Sequence, residues 1–243
     1  MTESALSLQG LTVCYGEKKV LDSINLDVKS GEMFGLMGLN GVGKTTMIKS
    51  ILGLRDPDGG DIRIFGNDRL SMQSKKKLAY LPERFDPPWF LSGMEFIRFS
   101  LSLYKTPFNA SDAIQAAEKL ALDPTVLKNR VQTYSKGMRQ KLGLIGTLMT
   151  GCPLLILDEP MSGLDPKARA YVKDMLREVR AEGRTVFLSS HILADMHELC
   201  DNVVVLHNQR FQYEGTPQGL CDYGQSANIE RAFLNVIDGR VAA

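Results

Sequence analysis

Residues 38–46 read Gly38-Leu39-Asn40-Gly41-Val42-Gly43-Lys44-Thr45-Thr46 and satisfy the P-loop pattern G-x-x-x-x-G-K-[ST]. A loop that wraps a triphosphate turns its backbone N–H groups inward, and this needs φ values that most side chains forbid but glycine accepts. The pattern therefore predicts a nucleoside triphosphate site. Lys44 would lie at the β- and γ-phosphates, and the Thr45 hydroxyl would bind Mg²⁺.

The flanks of this loop support the same interpretation. Met33–Met37 is a short apolar run typical of a buried strand, and helical spacing begins at Thr45 and continues to about Leu54. Strand, glycine loop and helix are the setting that a P-loop requires, and the helix dipole favours an anion at its N-terminus. A chance glycine-rich turn is the alternative. A dinucleotide fingerprint fits less well, because no G-x-G-x-x-G is present and Lys44 would have no role.

Composition sets limits on the class of protein. The chain has 243 residues, a net charge of +1, 44% hydrophobic and 23% charged residues, which is ordinary for one large or two small globular domains. A near-neutral charge does not favour nucleic acid or an anionic membrane surface as partner. The four cysteines show no C-x-x-C spacing, so we expect reduced thiols and no zinc site. The N-terminus has no signal-peptide pattern.

Hydrophobic periodicity divides the chain into regions. The first thirty residues alternate with period two, as strands do, whereas helical periodicity dominates residues 93–150. Strands and helices alternate from residue 154 onward, which predicts a largely parallel sheet covered by helices. We therefore expect one α/β domain over residues 1–243, with a helical subdomain inserted at about 84–150 and a C-terminal helical tail at 216–243.

One uncharged stretch needs a separate explanation. Residues 142–157 carry no charge, but these sixteen residues are fewer than the roughly 20 apolar residues of a membrane span, and glycines and Pro153 interrupt them. The stretch instead predicts the end of a helix, a turn and a buried strand. We expect no transmembrane helix in this chain, so any membrane function would need another subunit.

A second motif lies at the end of that buried strand. Leu154–Leu157 is followed by Asp158 and Glu159, and carboxylates at the carboxyl end of such a strand lie where α/β folds bind ligands. Asp158 would hold Mg²⁺ beside Thr45, and Glu159 would polarise a water in line with the γ-phosphate. An acidic pair that merely ends a strand is the alternative, and the upstream P-loop argues against it.

Several further motifs resemble those of the ATP-binding-cassette (ABC) ATPases, in the same order along residues 5–215. Tyr134–Gln140 resembles the signature motif, Asp165 the D-loop, His191 the switch histidine, Tyr15 the aromatic that stacks on adenine, and Tyr80–Glu83 the Q-loop. The resemblance implies a P-loop NTPase with the ABC-ATPase fold: a mostly parallel core sheet, an N-terminal antiparallel β-subdomain and the inserted helical subdomain.

The resemblance also implies hydrolysis of ATP to ADP and phosphate by a homodimer that encloses two ATP molecules. Ser135 and Gly137 open a helix whose N-terminus suits an anion, and in the family that anion is the γ-phosphate bound by the other protomer. The expected site residues are: catalytic Lys44, Glu159 and His191; nucleotide-binding Tyr15, Asn40, Gly41, Gly43, Lys44, Thr45, Thr46, Ser135 and Gly137; and Mg²⁺-binding Thr45, Glu83 and Asp158.

The chain departs from the usual family pattern in both the signature motif and the Q-loop. Lys136 and Met138 replace a glycine and the glutamine of the signature, and Glu83 stands where the Q-loop usually has glutamine. These variants resemble a branch of bacterial export-type ATPases that includes the copper-site maturation transporter for nitrous oxide reductase, as does the tail at 228–234. The resemblance implies an exporter subunit that drives a separate integral-membrane permease from the cytoplasmic face of the inner membrane, with no nucleic-acid partner.

Two alternatives remain open at this stage. A soluble ABC switch protein that acts on nucleic acid or ribosomes would share these motifs, although such proteins usually carry two cassettes or a long coiled coil. Separately, the aromatics of Phe85–Phe90 either form an exposed patch for a membrane partner or pack into the helical subdomain. His197 and His207 are interpreted as structural.

Overall fold

The computed structural model describes residues 3–240 and contains two β-sheets within that range. The strands are β1 Ser4–Tyr15, β2 Lys18–Lys29, β3 Met33–Met37, β4 Gly59–Ile64, β5 Asn67–Asp68, β6 Leu78–Leu81, β7 Leu154–Asp158, β8 Thr185–Ser190, β9 Asn202–His207 and β10 Arg210–Gly215. The predicted strands at 33–37 and 154–158 are both present, which confirms the expected settings of the two central motifs.

Helices are present where the sequence predicts them, after the P-loop, within residues 93–150 and after residue 154, and an additional short helix, α2 at Met72–Lys75, was not predicted. The helices are α1 Lys44–Ile51, α2 Met72–Lys75, α3 Gly93–Leu103, α4 Ala110–Lys119, α5 Lys136–Leu148, α6 Pro166–Ala181, α7 Leu193–Leu199, α8 Pro217–Tyr223 and α9 Ile229–Ile237. Helix α1 ends at Ile51 rather than near Leu54, because Gly53 takes a left-handed φ of 70°.

The larger sheet has the strand order β10-β9-β3-β8-β7-β6 and is parallel except for its edge strand β10. The expectation of a mostly parallel core sheet is therefore confirmed. Strand β10 itself was not predicted. It pairs antiparallel with β9 through a turn in which Asn208 and Gln209 both take positive φ, at 45° and 72°. A turn of this kind is usually marked by glycine, and no glycine marks it here.

The smaller sheet is antiparallel, with the order β2-β1-β4-β5, and it confirms the expected N-terminal β-subdomain. Strands β1 and β2 alternate buried and less buried side chains over most of their length, as their period-two pattern predicts, and the alternation is interrupted near Gly10 and Ser23, which take positive φ. The buried face of this sheet packs with α1 in one hydrophobic cluster that also includes one face of the larger sheet. The adenine-stacking candidate Tyr15 is the last residue of β1 and therefore lies at the edge of this layer.

Alternate residues of the central strands belong to two different cores. On β3, Phe34 and Leu36 pack toward α1 and the antiparallel sheet, whereas Met33 and Met37 pack toward the helices on the other face. Both faces of β3, β7 and β8 are therefore buried, which explains their uninterrupted aliphatic runs. The layers hold the carboxyl ends of these strands at one edge of the sheet.

Helices α3, α4 and α5 form the region that the sequence assigned to a helical subdomain. A capping box begins α3: the Glu95 N–H donates to Ser92 Oγ at 3.2 Å, and the Ser92 N–H donates to Glu95 Oε2 at 2.7 Å. Helices α8 and α9 occupy the predicted tail, whose last residues 241–243 lie outside the described range. The subdomain boundaries themselves stay a prediction. Among residues 3–240, every helix is too short or too polar to cross a bilayer.

Replacing Gly35 with alanine should destabilise the fold. A Cβ at this position of β3 would lie 2.9 Å from Cys200 Sγ, 3.0 Å from Val203 Cγ1 and 3.1 Å from Met196 Cε. Overpacking of this kind costs about 1–3 kcal/mol, so we expect the free energy of unfolding in urea to fall by that amount. Gly59→Ala is the matched control, since its Cβ would meet only Thr12 Cβ at 3.8 Å. Equal stability of the two variants would contradict this account.

Candidate active site

A cleft of about 490 Å³ lies at the carboxyl edge of the parallel sheet. Its lining includes every predicted site residue except Ser135 and Gly137. The lining residues are Tyr15, Val20, Leu39, Asn40, Gly41, Gly43, Lys44, Thr45, Thr46, Glu83, Asp158, Glu159 and His191. The structure therefore brings together residues that are far apart in the chain: Tyr15 and His191, for example, are 176 positions apart.

The P-loop has the backbone geometry that its glycines predict. Gly41 and Gly43 take φ values of 81° and 115°, in the left-handed region. A Cβ at Gly43 would lie 2.9 Å from Val20 Cγ1, so both conformation and space require glycine there. Gly43 is also the N-cap of α1, which begins at Lys44. The positive end of the α1 dipole therefore points at the loop, as in anion-binding P-loops.

Lys44 is buried and folds back over its own loop. Its Nζ donates to the carbonyls of Gly38 at 2.6 Å and Leu39 at 3.3 Å, and it lies 3.9 Å from Glu159 Oε1. Burial lowers the pKa of Lys44, while the carboxylates of Glu159 and Asp158 act in the opposite direction. The ammonium group is therefore held at the base of the cleft, next to both acidic residues.

Asp158 is almost fully buried and is oriented by two hydroxyl groups. Ser189 Oγ donates to Asp158 Oδ1 at 2.5 Å, and Thr45 Oγ1 donates to Oδ2 at 3.3 Å. Burial raises the pKa of Asp158, and the hydrogen bonds from Ser189 and Thr45 partly offset this by favouring the charged carboxylate. The contact between Thr45 and Asp158 is the pairing that the sequence predicted for a metal site.

Ser189 also contacts the neighbouring acidic residue, a role that the sequence analysis missed. Its Oγ accepts a hydrogen bond at 3.0 Å from the backbone N–H of Glu159. One buried hydroxyl thus positions both Asp158 and Glu159. The only sequence signal was a pair of serines, Ser189 and Ser190, at the end of a largely apolar strand, and that signal does not identify a partner.

Glu159 and His191 form a contact pair in the cleft. His191 Nδ1 lies 2.8 Å from Glu159 Oε2, and the His191 backbone N–H donates to the same oxygen at 3.3 Å. Glu159 takes a φ of 50°, a left-handed conformation that costs energy for a residue with a side chain. The imidazole is about half exposed, so one side of the pair faces solvent.

Ser135 and Gly137 lie outside the cleft, in the first turn of α5. Ser135 is the exposed N-cap of this helix and accepts a hydrogen bond from the Met138 N–H at 3.2 Å. The Lys136 side chain does not point to the cleft of its own chain: a Cβ on Gly163 would lie 3.2 Å from Lys136 Cε. The extra lysine therefore covers the D-loop segment just before Asp165, which caps α6.

Gln140 ties α5 to the backbone beside Glu159. Its Nε2 donates to the carbonyl of Pro160 at 3.0 Å, and the side chain is buried. The sequence analysis assigned Gln140 no role of its own, since only the fold reveals that this glutamine faces the residue after Glu159.

The comparison with known protein families agrees with this geometry. The profile described as "ABC transporter" matches residues 21–162, which is more than half of the chain. The chain belongs to the ABC transporter family. It is 32% identical over 95% of its length to the uncharacterized ABC transporter ATP-binding protein YdbJ of Bacillus subtilis, covering 75% of that protein. It is 37% identical over 90% of its length to the Nod factor export ATP-binding protein I of Rhizobium meliloti, covering 66% of it.

Solved structures of ABC ATPases share the fold. An ATP-binding subunit of an ABC transporter superposes with a TM-score of 0.86 and 30% identity, over 96% of this chain and 99% of that one. A dimeric ATP-binding cassette in a post-hydrolysis state with ADP and phosphate gives a TM-score of 0.79 at 21% identity, over 87% and 98% of the two chains, and supports the fold alone. The ABC-ATPase fold is confirmed. The chain spans about half to three quarters of the length of the curated relatives it matches.

Replacing Ser189 with alanine should impair ATP hydrolysis, because Ser189 contacts both Asp158 and Glu159. Loss of the hydrogen bond raises the pKa of Asp158 further, so protonation begins at higher pH and the acid limb of the ATPase pH profile moves upward. We also expect turnover to fall roughly tenfold, since a bond to a charged group is lost. Thr147→Ala, which removes a buried hydroxyl bonded within α5, is the control. Identical pH profiles for the wild type and Ser189→Ala would refute the role of Ser189.

Proposed function

We propose that this chain is the ATP-hydrolysing subunit of a bacterial ABC exporter, and that it works as a dimer which drives a separate membrane permease. The observation that carries the proposal is the convergence of Lys44, Asp158, Glu159 and His191 in one cleft beside the P-loop. Relatives named for transport and export support this function, and none of the relatives compared favours a switch protein that acts on nucleic acid or ribosomes.

The cleft supports hydrolysis in the following way. Amide groups of the P-loop and the ammonium of Lys44 bind the β- and γ-phosphates, while Tyr15 stacks on adenine. Glu159 accepts a proton from the attacking water, and His191 holds that water together with the γ-phosphate. The water oxygen bonds to the γ-phosphorus as the bond from this phosphorus to the bridging oxygen breaks, and ADP and phosphate are formed.

The donor set in the cleft fits Mg²⁺. Thr45 Oγ1 and the carboxylates of Asp158 and Glu83 offer hard oxygen ligands in the lining of the same cleft. Mg²⁺ is usually held by one or two carboxylates, with phosphate oxygens and water completing the shell. When bound, the ion supplies charge neutralisation at the β- and γ-phosphates. It would also offset the excess negative charge of Asp158, Glu159 and Glu83 over Lys44.

The dimer is proposed because the site is incomplete within one chain. Ser135 and Gly137 lie outside the cleft at the exposed N-terminus of α5, where a hydroxyl and free amides can bind an anion. In a head-to-tail pair, this helix end would bind the γ-phosphate of the ATP held by the partner. The ATP-binding cassette of the same fold that was solved with ADP and phosphate is itself described as a dimer.

The proposed location is the cytoplasmic face of the inner membrane, through docking to the permease. Two aromatic side chains supply a candidate docking patch: Trp89 and Phe90 are 64% and 54% exposed, and their ring centroids lie 5.8 Å apart. Phe85, by contrast, packs inward against Phe96, with ring centroids 5.4 Å apart. Of the two alternatives raised by the sequence, packing into the helical subdomain thus applies to Phe85, and the exposed patch applies to Trp89 and Phe90.

Replacing Glu159 with glutamine should nearly abolish turnover while ATP still binds. Glutamine cannot accept the proton from water, and loss of a general base costs roughly 10²- to 10⁴-fold. Phosphate release measures turnover, and size-exclusion chromatography with ATP should detect an accumulated dimer. Glu182→Gln, at the exposed C-terminus of α6, is the control.

Replacing Lys44 with alanine should instead weaken the binding of ATP itself, because the substitution removes a contact to the phosphates. Full activity of Glu159→Gln would exclude Glu159 as the base. Unchanged ATP affinity of Lys44→Ala would argue against the phosphate site.

Replacing Trp89 with alanine should uncouple the subunit from its membrane partner but spare basal ATP hydrolysis, since Trp89 lies outside the cleft. Loss of a central aromatic anchor weakens an interface by at least about tenfold. The measurement is recovery of a membrane protein with the tagged subunit from detergent-solubilised membranes of the source organism. Leu54→Ala, which removes another exposed apolar side chain, is the control. Undiminished recovery with Trp89→Ala would place the docking surface elsewhere.

A further inference from the structure

The Tyr15 ring is covered on one side by an arginine that the nucleotide site does not otherwise use. Arg55 follows α1, and its guanidinium carbon lies 4.0 Å from the centroid of the Tyr15 ring. Tyr15 lines the cleft and is 48% exposed, whereas Arg55 is not among the lining residues. The guanidinium covers one face of the Tyr15 ring, which leaves the other face for a base.

Residues 55–58, which follow α1, also bind the backbone of Cys14, the residue before Tyr15. Arg55 Nη2 donates to the carbonyl of Cys14, and Asp58 Oδ2 accepts a hydrogen bond from the Cys14 N–H at 2.7 Å. The Asp58 N–H in turn donates to the carbonyl of Thr12 at 2.9 Å. Both polar groups of the residue before Tyr15 are thus bonded to residues 55–58. These contacts restrict the ring and its backbone together.

Arg55 is in turn anchored to the phosphate-binding helix. Its backbone N–H donates to the carbonyl of Lys49 at 3.2 Å, in the last turn of α1. The first residue of that helix is Lys44, at the base of the cleft. Helix α1 and the contacts of Arg55 therefore connect Lys44, at the phosphate end of the site, to Tyr15 at its other end.

An exposed tyrosine without such support has rotameric freedom, which a ligand must remove on binding. A planar guanidinium stacked on the ring removes part of that freedom in advance, and Arg suits this contact better than Lys because its charge is spread over a flat group. The cation also draws electron density from the tyrosine ring, which favours a second aromatic ring on the free face.

We propose that Arg55 is a positioning residue for the nucleobase: it holds the Tyr15 ring in the orientation on which adenine stacks. This inference rests on the proposed role of the cleft as an ATP site. It assigns Arg55 a contribution to base binding alone, with no contribution to the phosphate contacts.

The test compares ATP with inorganic tripolyphosphate, which has the same phosphate chain but no base. In Arg55→Gln, we expect the Kd for ATP to rise about two- to fivefold, the range for a partly exposed cation–π contact, while the affinity for tripolyphosphate is unchanged. Arg55→Lys should give a smaller rise. In a Tyr15→Ala background, Arg55→Gln should have no further effect on ATP binding. Arg63→Gln, an exposed arginine of β4 paired with Asp61, is the control.

Two results would overturn the proposal. One is an equal loss of affinity for ATP and tripolyphosphate in Arg55→Gln; the other is the same loss of ATP affinity with and without Tyr15. Thermal unfolding of each variant checks its fold, and if Arg55→Gln is unfolded, the Arg55→Lys comparison decides. A wild-type protein that binds neither ligand would instead refute the proposed ATP site.

Discussion

The candidate active cleft depends on the hydrogen-bonded register of three adjacent parallel strands, β3, β8 and β7. Ser189 on the middle strand pairs with Leu36 on one side and Asp158 on the other. The P-loop follows β3, Glu159 follows β7 and His191 follows β8, so this register brings all three to one cleft. A slip of one residue would turn every side chain on one strand to the opposite core, and burial on both faces prevents such a slip.

The same register buries charged side chains next to one another, and polar groups close to them stabilise their charges. Lys44, Asp158 and Glu159 are buried together, and burial opposes the charged form of Lys44 and Asp158 alike. The hydroxyls of Ser189 and Thr45 stabilise the aspartate, and carbonyl oxygens of the P-loop receive the ammonium. Charges that are fixed before the ligand arrives need little rearrangement when it binds, which is the physical basis of electrostatic preorganisation.

Much of this could be predicted from sequence, because β3 and β7 are aliphatic runs that end in motifs with a known mechanism. The roles of Ser189 and Arg55 could not, since each depends on a contact between residues far apart in the chain: 31 positions for Ser189 with Asp158, and 41 for Arg55 with Cys14. The position of Lys136 was also beyond sequence reasoning. Its stem lies along Gly163 because the fold sets the first turn of α5 against that segment.

The hydrogen bond from Gln140 to the Pro160 carbonyl connects α5, whose first turn is exposed, to the cleft of the same chain. The helix begins at Ser135, on the exposed surface proposed to meet a partner, and just over one turn later it grips the backbone beside Glu159. Ser135 and Gln140 lie close together on the same helix, so the two contacts move together. In the proposed dimer, a displacement of α5 at the partner surface would therefore be transmitted through this hydrogen bond to the peptide next to Glu159.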